Sequence, residues 1–477
     1  MKLPWLTAAG PSRMVAPLVA LALCATQLTF IFPGELISDS RDQLQQAITH
    51  HYWDWHPPIM AYVWSWLLRI NGNLGLLVVL HQGLHWLGFG LIADGFFRVR
   101  MPGRAWLILA AGAFPVFLFF DNEIAKDIGL GSGLVAGFGM LFWFLVQRKS
   151  IPWWTVLLSG ICISYAALIR ANAIFAIGPI LLLYFARGRQ FGLVKIAACS
   201  VLTAVLVLPL SNWINHDLIG ARSQDPLQSL QIFDLMGVAV RSGDIGVLGE
   251  GAPPMDKIAS CYTSYWWDPY SPWGICQDLR HDIEFISPDM NIVTPHLAER
   301  SALWHQAILT HPMAYLAHRL SHFNSSIYFF VPSLSFRFSK STELAPSGRR
   351  VITQRDIQFD YLRKNLLFWP VFWLALGVCA LAFLKQPEAP SPTFSCARAL
   401  LCSGLLYSAA YLVVGVATET RYHYWSIMAI MLGIILGWSD ISHQMRAHPA
   451  RSRLAVAFVL AVVCIGFAAR IADVRLL

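Results

Sequence analysis

The stretch SDSRDQLQQAITHHYWDWHPP, Ser38–Pro58, gathers three aspartates (Asp39, Asp42, Asp54), three histidines (His50, His51, His56) and a Pro-Pro step. It directly follows an apolar run, 14–32, long enough to cross a bilayer. Carboxylates and imidazoles held at bilayer depth are costly to keep there and are commonly functional. Such a set can move protons, hold an anion, or ligate a metal. One loop aspartate alone would be read as merely solvated; several polar groups on a loop pressed between helices argue for a site.

Local signals shape this stretch. Ser40 followed by Gln43 fits a capping box, so a helix is expected to start near Arg41 with Asp39 at its mouth. Leu44, Ala47 and Ile48 would form its apolar edge and Gln43, Gln46 and His50 its polar side, as in a helix lying on a membrane surface. Pro57 and Pro58 force an extended turn that fixes the backbone at His56. From Ile59 to Ile70 the chain is apolar and aromatic again, with Trp64 and Trp66 suited to an interface. HHYWDWH has the donor types of a zinc site without a regular helical spacing, and no metal is expected there. His81 and His85, inside the next apolar run, are expected to be buried hydrogen-bond partners.

The elements that must position these residues are read from composition. Of 477 residues, 56% are hydrophobic and 13% charged, about half the charge of a soluble domain. The fold class is therefore an all-α polytopic membrane protein. Apolar runs near 14–32, 74–97, 105–120, 128–147, 152–169, 171–186, 196–213, 366–384, 397–416, 423–439 and 454–472 suggest about eleven spans. The first lacks a small-residue cleavage site and is too long for a signal core, so it reads as a retained span. The run from Ala171 is the weakest, because Arg170 leaves only a short helical hairpin.

The basic loops at 98–104, 147–150, 186–195 and 443–453 all fall on one side if the N-terminus is cytoplasmic. The acids of 35–73 and 121–127, Arg170, and TETRYHYW at 418–425 then face the other side. The net charge of +8 is thus a topology signal, and no nucleic-acid partner is expected. This reading places the chain in the inner (cytoplasmic) membrane, multi-pass, with the aspartate-rich loop on the periplasmic or outer face.

The chain is expected to divide into an N-terminal membrane module (1–213), a small extracytoplasmic domain (214–365) and a C-terminal membrane module (366–477). Cys261 and Cys276 flank YTSYWWDPYSPWGI, and an oxidising compartment permits a disulfide between them; two reduced thiols are the alternative. Trp266, Trp267 and Trp273, near Tyr262, Tyr265 and Tyr270, suit sugar stacking, a hydrophobic core or a membrane contact equally. No internal repeat is apparent, nor the inverted halves common in secondary transporters.

Asp39, the alanine eight positions on, and DWHPPIMAYVWSWLLRINGN together resemble the first extracytoplasmic loop of GT-C glycosyltransferases, such as the protein O-mannosyltransferases and the lipid A aminoarabinose transferase. NEIAKDIGLGSGLVAGFGMLFWF supplies Asp127 where those enzymes carry a second acid, and TETRYHYW resembles an Arg-Tyr element that begins a late span in bacterial relatives. The resemblance covers roughly 14–215 and 366–440 and is one of pattern. It implies a GT-C-like fold and a sugar donor carried on polyprenyl phosphate, since nucleotide sugars are absent outside the cytoplasm. The acceptor would be an extracytoplasmic glycan, lipid or protein, and direct displacement would invert the anomeric centre.

The resemblance also implies roles. Asp39 would be the base that orients and deprotonates the acceptor hydroxyl, with Asp42 its rival and Asp39 then only a cap. His56 stands where some relatives carry a lysine before Pro-Pro, which implies a phosphate contact whose strength depends on pH; a hydrogen bond to a carbonyl is the alternative. Lys126, Arg170, Arg421 and Tyr422 are further donor-phosphate candidates, although Arg170 would also serve topology and Arg421 would also suit snorkelling. Asp127 would position Lys126's neighbours or the acceptor. Asp121-Asn122-Glu123 has the donors of a divalent cation site found in oligosaccharyltransferases of this superfamily, but the first loop lacks a partner Asp-x-Asp, so no cofactor is expected. The competing functions are a membrane transporter or lipid flippase, which would carry its charges deep within spans, and a polysaccharide polymerase or ligase with a diphosphate-linked donor. A binding protein of this fold without activity is a further alternative.

Overall fold

The computed structural model describes residues 14–186, 192–249, 252–271, 274, 276, 297–331, 365–384 and 392–472. Trp273 and the last part of the expected 214–365 domain lie outside them. Among the described residues the chain is helical and no strand forms; two isolated backbone bridges join loops. Seven helical segments are long and apolar enough to cross a membrane: Leu76–Arg98, Pro102–Phe120, Lys126–Val146, Leu193–Leu218, Thr393–Val414, Thr420–Ala447 and Pro449–Ile471. Shorter apolar helices occupy Val15–Ile31, Trp153–Ile169, Ala171–Phe185 and Pro370–Phe383. The chain is an all-α polytopic membrane protein.

In chain order, α1 is Val15–Ile31, α2 Ser38–Thr49, α3 Ile59–Asn71, α4 Leu76–Arg98, α5 Pro102–Gly112, α6 Pro115–Phe120, α7 Lys126–Val146, α8 Trp153–Ile169, α9 Ile174–Ala186 and α10 Leu193–Trp213. The span expected at 105–120 is broken into α5 and α6. Phe114 is extended (ψ 140°) and Pro115 opens the new helix, where its missing N–H costs nothing.

Helix α7 is the most enclosed of these spans, and its glycine-rich sequence explains why. A Cβ on Gly88 of α4 would stand 2.5 Å from the Val135 carbonyl oxygen, and one on Gly139 would stand 2.7 Å from the Gly88 carbonyl oxygen. The two backbones therefore touch, the small-residue packing that joins helices in lipid, where no hydrophobic force drives association.

Helix α2 departs from expectation in two ways. It begins at Ser38, and Ser40 is in the first turn, where its hydroxyl accepts from the Ile37 N–H at 2.8 Å. Its polar side faces inward: Ser40, Gln43 and Gln46 are buried, while Ile48 is 57% exposed. Ala47 of the expected apolar edge is buried with them and His50 of the expected polar side is exposed, so the inward face mixes both sides of the expected pattern.

The described chain forms two compact units. The first draws on Met1–Ser223, Gly377–Ser408 and Arg421–Pro449; the second on Gln224–Leu376, Ala409–Thr420 and Ala450–Leu477. This division follows compactness and is drawn differently from the three modules expected from the sequence. Residues 214–223 join the first unit because Arg222 pairs with the first loop through Arg222 N–H to Tyr52 O (2.9 Å) and Asp54 N–H to Arg222 O (3.1 Å). Tyr52, Ala61 and Ala221 form a small apolar cluster at this junction.

In the second unit lie α11 (Leu227–Ser242), α12 (Met255–Cys261), α13 (Leu297–Thr310) and α14 (Pro312–Ser326). Their core holds Ile232, Leu235, Met236, Val238, Ile258 and Tyr270. Cys261 and Cys276 are joined as a disulfide with Cα atoms 6.1 Å apart. Two C-terminal pieces belong to this unit because buried arginines hold them. Arg319 donates to the Gly415 carbonyl at 2.6 Å, and Arg470 lies 3.5 Å from the Trp369 ring while donating to the Tyr328 carbonyl at 2.7 Å. Beyond α15 (Pro370–Phe383), the first unit is completed by most of α16 (Pro392–Ala409) and by α18 (Tyr424–Ala447); the second takes the short α17 (Tyr411–Val414) and most of α19 (Pro449–Ile471).

Candidate active site

The first unit brings three helix starts to one place. A backbone bridge does the first part: Glu35 N–H donates to Asn122 O at 2.7 Å, and Ile124 N–H donates to Glu35 O at 2.9 Å. The start of α2, carrying Asp39, is thereby set beside the start of α7, carrying Lys126 and Asp127. A buried polar lock fixes the same loop from behind. Asp121 accepts from Gln27 Nε2 (2.7 Å) and from Tyr424 Oη (2.6 Å), and Gln27 in turn accepts from Trp86 Nε1 (2.8 Å). Tyr424 reaches Asp121 by crossing α7 at Gly131, where a Cβ would stand 2.6 Å from its ring. That crossing delivers Arg421, in the turn Thr420–His423, to the same point.

Asp39 is the centre of the result. Its carboxylate lies 3.3 Å from Lys126 Nζ, 3.8 Å from His56 Nε2 and 3.9 Å from Arg421 Nη2. Arg421 also reaches Glu123 at 3.1 Å and Asp127 at 3.8 Å. Arg170, on the extended residue that ends α8, bonds Asp127. Three cations thus face three carboxylates. Their exposures differ in a way that assigns work: the Asp39 side chain is 25% exposed, Glu123 16% and Asp127 2%. Asp39 is the acid a substrate can touch.

Burial pulls the Asp39 pKa upward, but Lys126, His56 and Arg421 more than reverse this and hold it far below the usual carboxylate range. Asp39 is therefore ionised, and a weak base that takes a proton only late in a reaction. His56 accepts from Lys126 Nζ through Nδ1 at 2.6 Å, which places its own proton on Nε2, toward Asp39. Burial, then the Lys126 charge, depresses its pKa to about 3, so the free site holds a neutral imidazole at every physiological pH. His56, expected as a phosphate contact, lies against Lys126 and faces Asp39.

The other expected residues separate. Asp42 makes no ion pair with the cluster's cations among the described residues; it accepts from Gln46 Nε2 (3.0 Å) and Trp53 Nε1 (3.1 Å) and pins the end of the loop to α2. Burial raises its pKa. Asp127, enclosed by Arg170 and Arg421, positions those cations and does not present itself to a ligand. The Tyr422 ring lies 4.7 Å from the Arg170 guanidinium and 5.6 Å from that of Arg421, a platform for both.

The donors of HHYWDWH diverge. His50 meets Tyr52 (3.4 Å), Asp54 meets His216 (3.4 Å) and His56 meets Lys126, and no group of three metal-ligating side chains forms among the described residues. His81 and His85 are buried, on Tyr165 (2.8 Å) and the Gly112 carbonyl (2.9 Å). Sequence reasoning missed Glu123 as the partner of Arg421; the acid run 121–123 was its only signal, and it pointed to a cation of another kind.

The arrangement offers one exposed, ionised acid beside clustered fixed positive charge. It can orient a hydroxyl and accept its proton while an adjacent phosphate is stabilised. Compared with protein-family models, curated proteins and solved structures, the chain finds no match in any of the three.

Proposed function

We propose that this protein is an integral-membrane glycosyltransferase of GT-C type, moving a monosaccharide from a polyprenyl-phosphate carrier to an extracytoplasmic glycan, lipid or protein. The observation that carries this reading is Asp39, one quarter exposed, held within 4 Å of Lys126, His56 and Arg421. Counting the shorter apolar helices with the longer ones gives eleven spans. With the basic loops cytoplasmic, the Asp39 site lies at the outer face. Exposed tryptophans at helix ends, Trp66 and Trp213 on the site's side and Trp153, Trp154 and Trp438 near basic loops, suit two interfacial belts.

In this mechanism the acceptor oxygen attacks the anomeric carbon from the face opposite the phosphate. The bond between that carbon and the phosphate oxygen breaks, with inversion. The acceptor proton passes to Asp39. The negative charge left on polyprenyl phosphate is met by Lys126, kept in place by His56, and by Arg421 and Arg170, kept in place by Asp127. The charges gather at helix starts in the loops and not along the spans, which favours this reading over a transporter or flippase.

The test is mass spectrometry of surface glycans and lipids from a deletion strain of the source cell, complemented with wild type or with Asp39→Asn. Loss of one sugar in the variant, restored by wild type, supports transfer and names sugar and acceptor. Identical glycans, with both proteins present in the membrane, overturn it.

A further inference from the structure

The second unit contains a cavity of about 690 Å³ that the transfer mechanism does not use. Its size is that of a small-ligand pocket, about 300–1,000 Å³. Val240, Ala259, Met313, Ala314 and Ala317 give it an apolar wall of small side chains; Tyr262, Thr263, Ser264 and Tyr265 set hydroxyls along the other side; and Arg241 is its one charged lining residue.

Three observations show that these polar groups are held ready for a ligand. Tyr262 is backed by a fully buried relay: its hydroxyl meets His318 Nδ1 at 2.9 Å, and His318 Nε2 lies 3.3 Å from Asp234. Asp234 is itself fixed by Arg319 (2.5 Å) and by Trp304 Nε1 (2.8 Å). Arg241 is steadied by Ser321, 2.8 Å from Nη2, yet its buried Nε–H has no partner among the described residues. Thr263 Oγ1 accepts from the Tyr265 N–H at 3.2 Å and keeps its own O–H to donate.

We infer that this cavity binds a glycan carrying an acidic sugar, with its carboxylate on Arg241, its hydroxyls on Tyr262, Thr263 and Ser264, and the C–H face of a ring on the alanine wall. A hydrocarbon chain would need no line of hydroxyls, and a neutral sugar would leave the arginine unanswered. The inference deepens the proposed function by naming the acceptor class. Binding does not require transfer, so the two readings can fail separately. The disulfide Cys261–Cys276 holds the segment that carries Tyr262 to Tyr265, which keeps this wall rigid.

The experiment is calorimetric titration of the full-length protein in lipid nanodiscs with trimers of galacturonate, glucuronate and mannuronate, with a neutral galactose trimer, and with dodecyl phosphate. At least one acidic trimer should bind saturably, at least tenfold tighter than the neutral one. Arg241→Gln should weaken it about tenfold or more, and Thr263→Ala, a gentler change at the rim, should weaken it severalfold. Asp39→Asn should leave it unchanged, so that loss of transfer with intact binding separates the two readings. No saturable binding by any acidic trimer, equal binding of acidic and neutral trimers, equal binding by a well-folded Arg241→Gln protein, or competitive displacement of a bound acidic trimer by dodecyl phosphate would each overturn the assignment.

Discussion

Replacing Asp39 by asparagine should separate chemistry from donor binding. The carboxylate occupies the cations an incoming phosphate needs, with Lys126 Nζ at 3.3 Å and Arg421 Nη2 at 3.9 Å. Unit charges about 4 Å apart interact by roughly 4 kcal/mol at an effective dielectric near 20. Asp39 is a quarter exposed, and screening by water cuts such figures severalfold. Removing its repulsion toward a bound phosphate should therefore contribute about 1.4 kcal/mol, tenfold in Kd. Loss of the base should meanwhile lower turnover by about 10²–10⁴. Lys126 keeps His56, and Arg421 keeps Glu123 and Asp127, so the variant should fold. The assay is binding of a polyprenyl phosphate by native mass spectrometry of protein in nanodiscs, beside the glycan measurement in cells. Wild-type turnover in the variant would refute the assignment of the base. Donor affinity reduced tenfold would refute the claim that acid and phosphate compete for the same charges.

Arg421→Gln removes the common partner of Glu123, Asp127 and Asp39, and should cost about 3–5 kcal/mol as buried acids lose their counter-charge; unfolding in detergent measures it, and a loss under 1 kcal/mol would contradict the shared-partner geometry. Arg421→Lys should recover only part, because an ammonium cannot span two carboxylates as a guanidinium fork does. For pH, His56 is depressed to about 3 and Asp39 is depressed as well. Each therefore contributes stability present above its unfolded pKa, near 6.5 and 3.9, and lost as pH falls toward the folded value. Acid unfolding of wild type should begin below about pH 6 and steepen below about pH 4, and His56→Gln should lessen the upper part, to which the buried His318 and His322 also contribute; an unchanged profile in that variant would show that His56 is not held neutral. Reduction of Cys261–Cys276, whose partners are 15 residues apart, should cost about 3 kcal/mol by the chain-entropy argument. Alkylation with and without reductant, read by peptide mass, checks the bond, and alkylation of Cys261 or Cys276 in unreduced protein would disprove it.

Composition and local chemistry sufficed for the helical, membrane-spanning class and for the polar set of the site. Apolar runs of spanning length, separated by charged loops, admit only helices, because lipid offers the backbone no other hydrogen-bond partner. Pro57–Pro58 marked the turn after His56. Asp39, Lys126, Arg170 and Arg421 were named together through the resemblance in pattern, and each falls at or beside a helix end.

Which of those charges meet was settled by the folded chain alone, since pairing joins residues some 40 to 380 positions apart and carries no local signal. Asp42 is three residues from Asp39 and as acidic by sequence, yet Gln46 and Trp53 claim it. Glu123 had no partner legible in the sequence; the Gly131–Tyr424 crossing brings Arg421 to it. Gln43 and Gln46 turn inward together with Ala47, across the two faces the pattern separates, because pattern shows that a helix has two faces and only its surroundings say what is inside. In the second unit, Arg319 and Arg470 hold C-terminal segments through carbonyl bonds and one ring contact. A buried guanidinium must find acceptors wherever the fold supplies them, and no spacing rule in the chain says where that is.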